Sequence, residues 1–376
     1  MARQTCCLAQ ETRVCPAMNP EGGERQPVPS RSTTARILEK ARQLHLDQVG
    51  WIPVGPADDF HHFQNWLEEG MHGEMLYLSK HSEARKTPLS IKQDAKTILM
   101  ALVNYRPDDS HSNPTETGGK VARYARGPDY HEMLWEKLGS LGKFISELVP
   151  GCSWRAVADS APLLERGFAA RCGLGWIGKN TLLVNRKLGS YTVLGALLLS
   201  HELPANLGQI EVADSCGTCT RCVEACPTQA IRPGRQLDAR QCISYWTIEK
   251  RGPIGHQAGS LLHGWLFGCD ICQEVCPWNR KAPLGKELGQ HEDFATLDCV
   301  AILECKDDDI RAMIRHTALT RTKPTGLRRN ALWILGTIGN RNHLQVIRLH
   351  TDSQDEGVRE AAIWAERVIS GRFENQ

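Results

Sequence analysis

The sequence predicts an α+β protein of several domains, because three parts of the chain carry three different patterns. Helical periodicity alternates with apolar runs of strand length over residues 31–205, which predicts an α/β domain. Eight of the fifteen cysteines fall within residues 206–285, and residues 286–376 combine helical periodicity with an internal repeat. Residues 1–30 have little periodic hydrophobicity, so we expect a disordered N-terminal extension there.

The elements of the first domain begin with a helix predicted from Ser32. The continuous apolar run over residues 98–103 predicts a strand that is buried on both faces. Asp129 comes directly before an amphipathic segment, and we expect it to cap that helix. Together with His131 it also forms a D-x-H pair, although Leu134 occupies the glycine position of the D-x-H-x-x-G motif found in many cobalamin-binding proteins.

Two further segments of this domain could hold a ligand or carry chemistry. Residues 154–158 predict a strand, and Asp159 begins the turn that leads into the next helix. From this position Asp159 could act as a buried acid or could simply cap the helix. Residues 173–181 contain three glycines, followed by polar side chains, so they form either a ligand-binding loop or an ordinary turn.

Length and composition exclude several classes of protein. The chain has 376 residues, which is enough for two or three domains, and its hydrophobic content of 41% and charged content of 23% are typical of soluble globular proteins. The net charge of +2 indicates no global attraction to nucleic acid. No apolar run reaches the roughly 18 residues of a membrane span. Free cysteines and no secretory pattern indicate the reducing cytoplasm.

The cysteines of the middle segment have the spacing of iron–sulfur ligands. The first run, from Cys216 to Pro227, is C-x2-C-x2-C-x3-C-P, the bacterial ferredoxin spacing. The second run is incomplete, because Leu266 stands where a first cysteine is expected, and Cys242 is the replacement. Zinc and a disulfide framework are the alternatives, but neither requires three evenly spaced cysteines followed by Cys-Pro.

In two-cluster ferredoxins the fourth cysteine of a run binds the other cluster, and this rule divides the eight residues into two sets. The first set, group 1, is Cys216, Cys219, Cys222 and Cys276. The second set, group 2, is Cys226, Cys242, Cys269 and Cys272. The sequence therefore predicts two 4Fe-4S clusters that pass electrons to another part of the chain.

The C-terminal segment combines a basic stretch with a repeat. Six cations and no acidic residue occur between positions 311 and 329: Arg311, Arg315, Arg321, Lys323, Arg328 and Arg329. Residues 327–333 resemble residues 358–364, with Trp333 matching Trp364, which predicts paired helices of HEAT type. A basic stripe on such helices suits the phosphates of a nucleic acid, although a solvated face is the simpler alternative.

Taken together, these patterns resemble one family, the epoxyqueuosine reductases. The resemblance rests on residues 123–131, on residues 159–166, on residues 173–181, on both cysteine runs and on residues 327–332, and it spans roughly residues 32–370. It implies a cobalamin-dependent oxidoreductase that reduces epoxyqueuosine to queuosine at the wobble position of tRNA. This is the last step of queuosine biosynthesis, and it turns an epoxide into an alkene and water.

The resemblance also implies roles for particular residues. Asp159 would be the acid that protonates the epoxide oxygen, with its pKa raised by burial beside cobalamin. Cobalamin contacts are expected from Arg85, Tyr124, Asp159, Lys179, Asn180, Ser190 and Tyr191. Contacts to the tRNA anticodon stem-loop are expected from Arg321, Lys323, Arg328 and Arg329. We further expect a cytoplasmic monomer, no membrane contact and an electron donor that the sequence does not identify.

Two other functions would account for part of this sequence pattern. A reductive dehalogenase would share cobalamin and two clusters, but such enzymes usually carry a twin-arginine export signal and have no basic helical repeat. A ferredoxin-like electron carrier would need only the cluster module, and the predicted domain over residues 31–205 is unnecessary for that task.

Overall fold

The computed structural model describes residues 31–108, 116–204, 212–289 and 294–374. The predicted extension over residues 1–30 therefore lies outside the described residues. The first part of the chain contains α1 (Arg31–Gln43), β1 (Gln48–Pro53), α2 (Phe60–Glu68), α3 (Leu76–Lys80), β2 (Thr97–Asn104), β3 (Gly118–Val121), α4 (Tyr130–Leu148), β4 (Trp154–Val157), α5 (Glu165–Arg171), β5 (Trp176–Ile177), β6 (Leu183–Val184) and β7 (Thr192–Leu199).

A four-stranded sheet forms the centre of this part, in the order β1-β2-β7-β4. Every pairing in it is antiparallel. The prediction of an α/β domain is therefore wrong in this respect, because α/β domains are built on mainly parallel strands. Apolar runs and helices alternate along the chain as predicted, but periodicity does not reveal the direction in which neighbouring strands pair.

The strand β2 confirms the prediction for residues 98–103, since all eight of its residues are buried. Alternate side chains point to opposite faces of the sheet. Leu99 and its partners on one face pack with Ile37 of α1 and Leu138 of α4. Met100 and its partners on the other face pack with Phe168 of α5. Helices therefore cover both faces of the sheet. This packing holds in place the C-terminal end of β4 and the N-terminal end of α4, and polar residues lie at both of these ends.

The middle part of the chain consists of short elements connected by cysteine-bearing loops. These are α6 (Arg221–Ala225), β8 (Ile231–Arg232), β9 (Gln236–Leu237), α7 (Ile243–Ile248), α8 (His256–Ser260), β10 (Trp265–Phe267) and α9 (Ile271–Glu274). Leu266, at the position where the second cysteine run lacks its first cysteine, is fully buried in β10. This explains why the run is incomplete, because the position belongs to a core strand and not to a ligand loop.

The C-terminal part is mainly helical. It contains β11 (Thr296–Asp298), α10 (Cys299–Glu304), α11 (Asp307–Ile314), α12 (Lys323–Ile338), α13 (Leu344–Arg348) and α14 (Glu356–Glu374). The two repeated segments lie in α12 and α14, where the rings of Trp333 and Trp364 stand 4.5 Å apart between centroids. The repeat therefore marks two helices that pack on each other, and the assignment to the HEAT type stays a prediction.

A second sheet connects the three predicted domains. Its order is β10-β3-β11, so that it takes one strand from each of them. The same hydrophobic core contains Val121, Phe267 and Leu335. The predicted boundaries near residues 205 and 285 stay predictions, but β3 leaves the first domain to join a core shared with the other two. No helix in the described ranges is long and apolar enough to cross a membrane.

Candidate functional site

A cavity of about 920 Å³ lies where the three parts of the chain meet. Its walls come from five segments, within residues 75–85, 124–131, 159–162, 237–249 and 318–321. This volume is at the upper end of the range for ligand sites in proteins. A large ligand placed here would touch the ends of β4 and α4, the cysteine-bearing middle part and the segment before α12.

Asp159 reaches this cavity from the loop that follows β4. Its φ of +53° is in the left-handed region, which is uncommon for residues other than glycine and costs roughly 1–3 kcal/mol. The backbone N–H of Asp159 donates to Glu165 Oε1 at 2.8 Å. Because α5 begins only at Glu165, the alternative that Asp159 caps this helix is wrong. The strained backbone instead directs the carboxylate into the cavity, where its side chain is 65% exposed.

Three polar side chains form a chain of contacts at the start of α4. Asp129 caps α4 as predicted, since its Oδ1 accepts from the backbone N–H of His131 at 3.0 Å. The same oxygen lies 2.6 Å from His131 Nδ1, while His131 Nε2 lies 3.4 Å from Asp159 Oδ2. The hydroxyl of Tyr130 donates to the same Oδ2 at 3.3 Å. His131 therefore connects two carboxylates and is positioned to hold a proton for Asp159.

The pKa values of these groups differ from their usual values. A hydrogen bond from His131 holds the pKa of Asp159 below its usual value, although partial desolvation of the carboxylate in the cavity opposes this effect. The expected rise of this pKa beside bound cobalamin stays a prediction. Burial would lower the pKa of His131, but its hydrogen bonds to Asp129 and Asp159 raise it to about 9. Burial, and then the nearby charge of Asp159, raise the pKa of Glu165 to about 8. Near neutral pH the dissociable protons reside on His131 and Glu165.

Of the residues predicted to bind cobalamin, Arg85, Tyr124 and Asp159 line the cavity. The buried Nε of Arg85 has no hydrogen-bond partner among the residues that the structure describes, so this donor is available to a ligand. Tyr124 packs edge-on against Tyr130 with 6.0 Å between ring centroids. Burial raises the pKa of the Tyr124 phenol well above its usual value, so the ring stays neutral.

The other four predicted cobalamin contacts lie outside the lining of this cavity. The ammonium of Lys179 donates to the carbonyls of Gly217 and Cys219 at 2.8 and 2.9 Å. The buried hydroxyl of Ser190 donates to Gln273 at 3.0 Å. Tyr191 is 4% exposed and lies against the Arg123 guanidinium. Asn180 is also buried, and within the described ranges its Nδ2 has no hydrogen-bond partner.

The eight cysteines of the middle part include residues close enough to influence one another electrostatically, while their division into two sets of four stays a prediction. In group 1, burial and the neighbouring thiols of Cys276 and Cys216 raise the pKa of Cys222. In group 2, burial raises the pKa of Cys269 above its usual range, and the nearby Cys242 adds to the effect. These mutual electrostatic effects require short distances between cysteines that are far apart in the sequence. Thiolates grouped in this way are the ligands that 4Fe-4S clusters require.

The two groups differ in their surroundings. Cys242 of group 2 lines the large cavity. The loop of residues 216–219 in group 1 has exposed residues at Gly217 and Thr218. The indole N–H of Trp176 donates to Cys216 Sγ at 3.4 Å, and the backbone N–H of Ala230 donates to Cys226 Sγ at 3.3 Å. Hydrogen bonds of this kind tune the potential of a bound cluster. Group 2 thus faces the cavity, and part of group 1 faces solvent.

The four residues predicted to contact tRNA have different environments. Arg321 lines the cavity and pairs with Glu249 at 3.0 Å, and Lys323 is exposed. The guanidinium of Arg328 is largely covered and pairs with Asp307. Arg329 is 2% exposed, so its prediction as a surface contact to tRNA is wrong. An arginine side chain is long enough to reach inward from a helix, and the sequence does not reveal the direction it takes.

The sequence indicates no functional role for three residues at or beside the cavity. Tyr77 and Tyr130 line its wall. Glu165 lies behind the wall, where it accepts from the backbone N–H of Asp159. In the sequence, the D-x-H pair was the signal that pointed to His131. The contact of His131 with Asp159 gave no signal of its own, because Asp159 follows a strand in another part of the chain.

The fold and the site together define a class of protein, an iron–sulfur oxidoreductase in which a double-cluster module faces a large cavity with acid–base groups. Residues 215–279 match a family profile described as a 4Fe-4S double cluster binding domain, which includes all eight cysteines. Residues 85–160 match the profile "Epoxyqueuosine reductase QueG, DUF1730".

Relatives and solved structures agree with these profiles. An epoxyqueuosine reductase of Cellulophaga algicola is 39% identical over 269 residues, covering 71% of this chain and 86% of the relative. One of Pseudomonas aeruginosa is 36% identical, covering 91% and 95%. A crystal structure of epoxyqueuosine reductase with an epoxyqueuosine-modified tRNA-Tyr stem loop matches with a TM-score of 0.81 at 25% identity, covering 90% of each chain. The chain belongs to the epoxyqueuosine reductase family.

Proposed function

We propose that this protein reduces the epoxide of epoxyqueuosine in tRNA to the alkene of queuosine, using cobalamin and two 4Fe-4S clusters. One observation carries the proposal: a single cavity has the Asp159–His131 pair in one wall and Cys242 of group 2 in another. An acid–base pair and an electron source then meet at one substrate. The reaction takes up two electrons and two protons and releases the epoxide oxygen as water.

The residues of the cavity fit cobalamin. The volume of about 920 Å³ suits a large ligand, and the unpartnered Nε of Arg85 suits one with many amide and phosphate acceptors. His131 contacts both Asp129 and Asp159, and buried Leu134 replaces the motif glycine, so we propose that His131 would serve proton transfer and would not hold the cobalamin. We propose Arg85 and Tyr124 as contacts of the corrin, and Asn180, Lys179, Ser190 and Tyr191 as more remote support. When bound, cobalamin supplies a strongly reducing cobalt centre.

The protein itself would manage the protons. His131 is charged near neutral pH, because its pKa is about 9, and it stands next to the Asp159 carboxylate. We propose that this pair donates the proton that the epoxide oxygen needs as its bond to carbon breaks. Asp159 would face the substrate, while Asp129 would hold the imidazole in position. Glu165 would keep the loop in place through the N–H of Asp159.

For tRNA we propose a binding surface at the rim of the cavity and on the C-terminal helices, which we take to be a HEAT-type repeat. Arg321 lies at the rim, and exposed Lys323 and Arg315 have no acidic partner within 4.0 Å among the described residues. Such cations suit phosphates, whereas a deep cavity suits a single base turned out of the anticodon loop. We take the protein to act as a monomer in the cytoplasm.

The proposal is tested by anaerobic turnover. Protein reconstituted with iron and sulfide is mixed with epoxyqueuosine-containing tRNA and a chemical reductant, with or without cobalamin, and the digested nucleosides are analysed by mass spectrometry. The expected result is the loss of one oxygen atom from the modified nucleoside only when cobalamin is present. Conversion that is equally fast without cobalamin would remove cobalamin from the proposal, and no conversion by fully loaded protein would contradict the function.

A further inference from the structure

We propose that electrons enter this protein at the loop of group 1, residues 216–219, from a small acidic electron-carrier protein that docks on a basic surface around that loop. This inference rests on the proposed function, because it assumes that both cysteine groups hold clusters. It adds the site of electron entry and the chemical class of the donor.

The direction of electron flow follows from the positions of the two groups. Cys242 of group 2 lines the cavity where reduction is proposed to occur, and no cysteine of group 1 does so. The two groups adjoin each other, since α6, which contains Cys222 of group 1, packs against α9, which contains Cys272 of group 2. Group 1 is therefore the outer site and group 2 the inner one, so that a donor has to approach group 1.

The loop of group 1 is open to a docking protein. Gly217 and Thr218 are exposed, and a Cβ atom added at Gly217 would meet no atom within 4 Å. The loop is also well supported, because Lys179 donates to its carbonyls and Trp176 donates to Cys216. An exposed but rigid loop allows a carrier to come close to the cluster without a costly rearrangement.

The surface around this loop is basic, and we call it the entry face. It contains Lys179, Arg186, Arg221 and Arg235, and we add Arg280, which follows Cys276 of group 1 by four residues. Arg186 donates to Ser215 Oγ at 2.9 Å, directly before the loop, and Arg235 pairs with Asp214. Arg221 and Arg280 are exposed, and neither has an acidic partner within 4.0 Å in the described part of the chain. Among the described residues of the same segments, Asp214 pairs with Arg235, and Glu224 lies in the first turn of α6.

A positive surface around an electron-transfer site favours a negatively charged partner. Charge complementarity of this kind speeds association by steering the partner before contact, and it weakens as salt screens the charges. The entry face does not line the substrate cavity, so we assign it to a carrier protein and not to the tRNA. In each encounter, the reduced carrier loses one electron, and one cluster gains it.

The test uses a bacterial flavodoxin as the acidic carrier and the protein with both clusters loaded. Arg186→Glu/Arg221→Glu reverses two charges of the entry face. Arg36→Glu/Lys143→Glu is the matched control, since both residues are exposed on α1 and α4 and outside the machinery described above. Cluster reduction is followed by stopped-flow absorbance, first with reduced flavodoxin and then with the methyl viologen radical, a cationic reductant. Flavodoxin binding is measured separately by calorimetry at several salt concentrations.

The expected result is a drop of about ten- to a hundredfold in the rate of reduction by flavodoxin at low salt for the entry-face variant. The rate for the control variant should stay within about twofold of the rate for the unaltered protein. At high salt the rates of all three proteins should become similar, because salt screens the charges. Methyl viologen should reduce the entry-face variant at least as fast as the unaltered protein, because its charge has the opposite sign. That result would separate loss of docking from damage to the clusters.

Three outcomes would overturn the inference. One is an equal rate with flavodoxin for the entry-face variant and the control, and another is flavodoxin binding that does not depend on salt. The third is a loss of tRNA affinity with reduction by flavodoxin unchanged, which would assign the entry face to RNA. With methyl viologen as reductant, the unaltered protein would still turn over tRNA in all three cases if the proposed function is correct, so failure of this inference is distinguishable from failure of the proposed function.

Discussion

The buried guanidinium of Arg329 leads to a prediction that the sequence alone would not make. Its Nη1 donates to the carbonyls of Lys250 and Gly252 at 2.8 and 2.9 Å, and its Nη2 donates to that of Trp246 at 2.6 Å. It also donates to the side chain of Asn330. These bonds connect α12 to the segment after α7, which forms part of the cavity wall.

Arg329→Met keeps most of the side-chain volume but removes the charged donors. Each buried carbonyl acceptor that is left without a partner costs about 1–3 kcal/mol, and three carbonyls lose theirs. Since such effects are not additive, we expect a total loss of about 3–5 kcal/mol. For a protein of this size that corresponds to a decrease of roughly 4–6 °C in the melting temperature.

The assay is thermal unfolding of cluster-loaded protein under anaerobic conditions, followed by circular dichroism. Arg315→Met is the matched control, because it removes an exposed arginine from the same part of the chain and should change stability by no more than about 0.5 kcal/mol. Equal melting temperatures for the two variants would refute the structural role of Arg329. Weaker tRNA binding by fully folded Arg329→Met, with unchanged stability, would restore its prediction as a tRNA contact.

Three further predictions concern the cavity and its rim. Asp159→Asn should lower turnover by about 10²- to 10⁴-fold while the contents of iron and corrinoid stay unchanged, and turnover within tenfold of normal would remove Asp159 from proton transfer. The raised pKa of Glu165 means that the folded protein binds an extra proton between its usual pKa and about 8, so this residue makes stability fall with rising pH in that interval. Glu165→Gln stays neutral, so the melting temperature of this variant should rise relative to that of the unaltered protein between pH 6 and pH 9. A difference in melting temperature that does not change with pH would show that Glu165 titrates normally. Arg315→Ala/Lys323→Ala should make the dependence of log tRNA affinity on log salt shallower by roughly 1.5–2, and an unchanged slope would exclude both as phosphate contacts.

The cluster module was the most predictable part, because its information is local. The spacing of the cysteines predicted two 4Fe-4S clusters, and the match of residues 215–279 to a double-cluster profile confirms a domain of this kind. The apolar run of β2 was equally clear, since a strand buried on both faces has no polar positions. In both cases the physical requirement is expressed in a short segment.

The remaining errors concern properties that depend on distant parts of the chain. The direction of strand pairing, the joining of β3 to β10 and β11, and the inward path of Arg329 all depend on tertiary packing. The contact between Asp159 and His131 depends on tertiary packing as well, because the sequence showed a carboxylate at a strand end but did not show that His131 from α4 would reach it. The acidic partners of the basic stretch were hidden for the same reason, since Glu249 and Asp307 lie outside it.

The central claim is that this chain passes electrons from its clusters to an epoxide on tRNA, and a single-turnover experiment tests it most directly. Protein loaded with both clusters and cobalamin is reduced, freed of reductant and mixed anaerobically with epoxyqueuosine-containing tRNA, while cluster absorbance and the digested nucleosides are followed together. We predict that the clusters are reoxidised at the rate at which queuosine forms, with two electrons lost for each oxygen removed. Reoxidation with the epoxide unchanged, or queuosine formation with the clusters still reduced, would contradict the account.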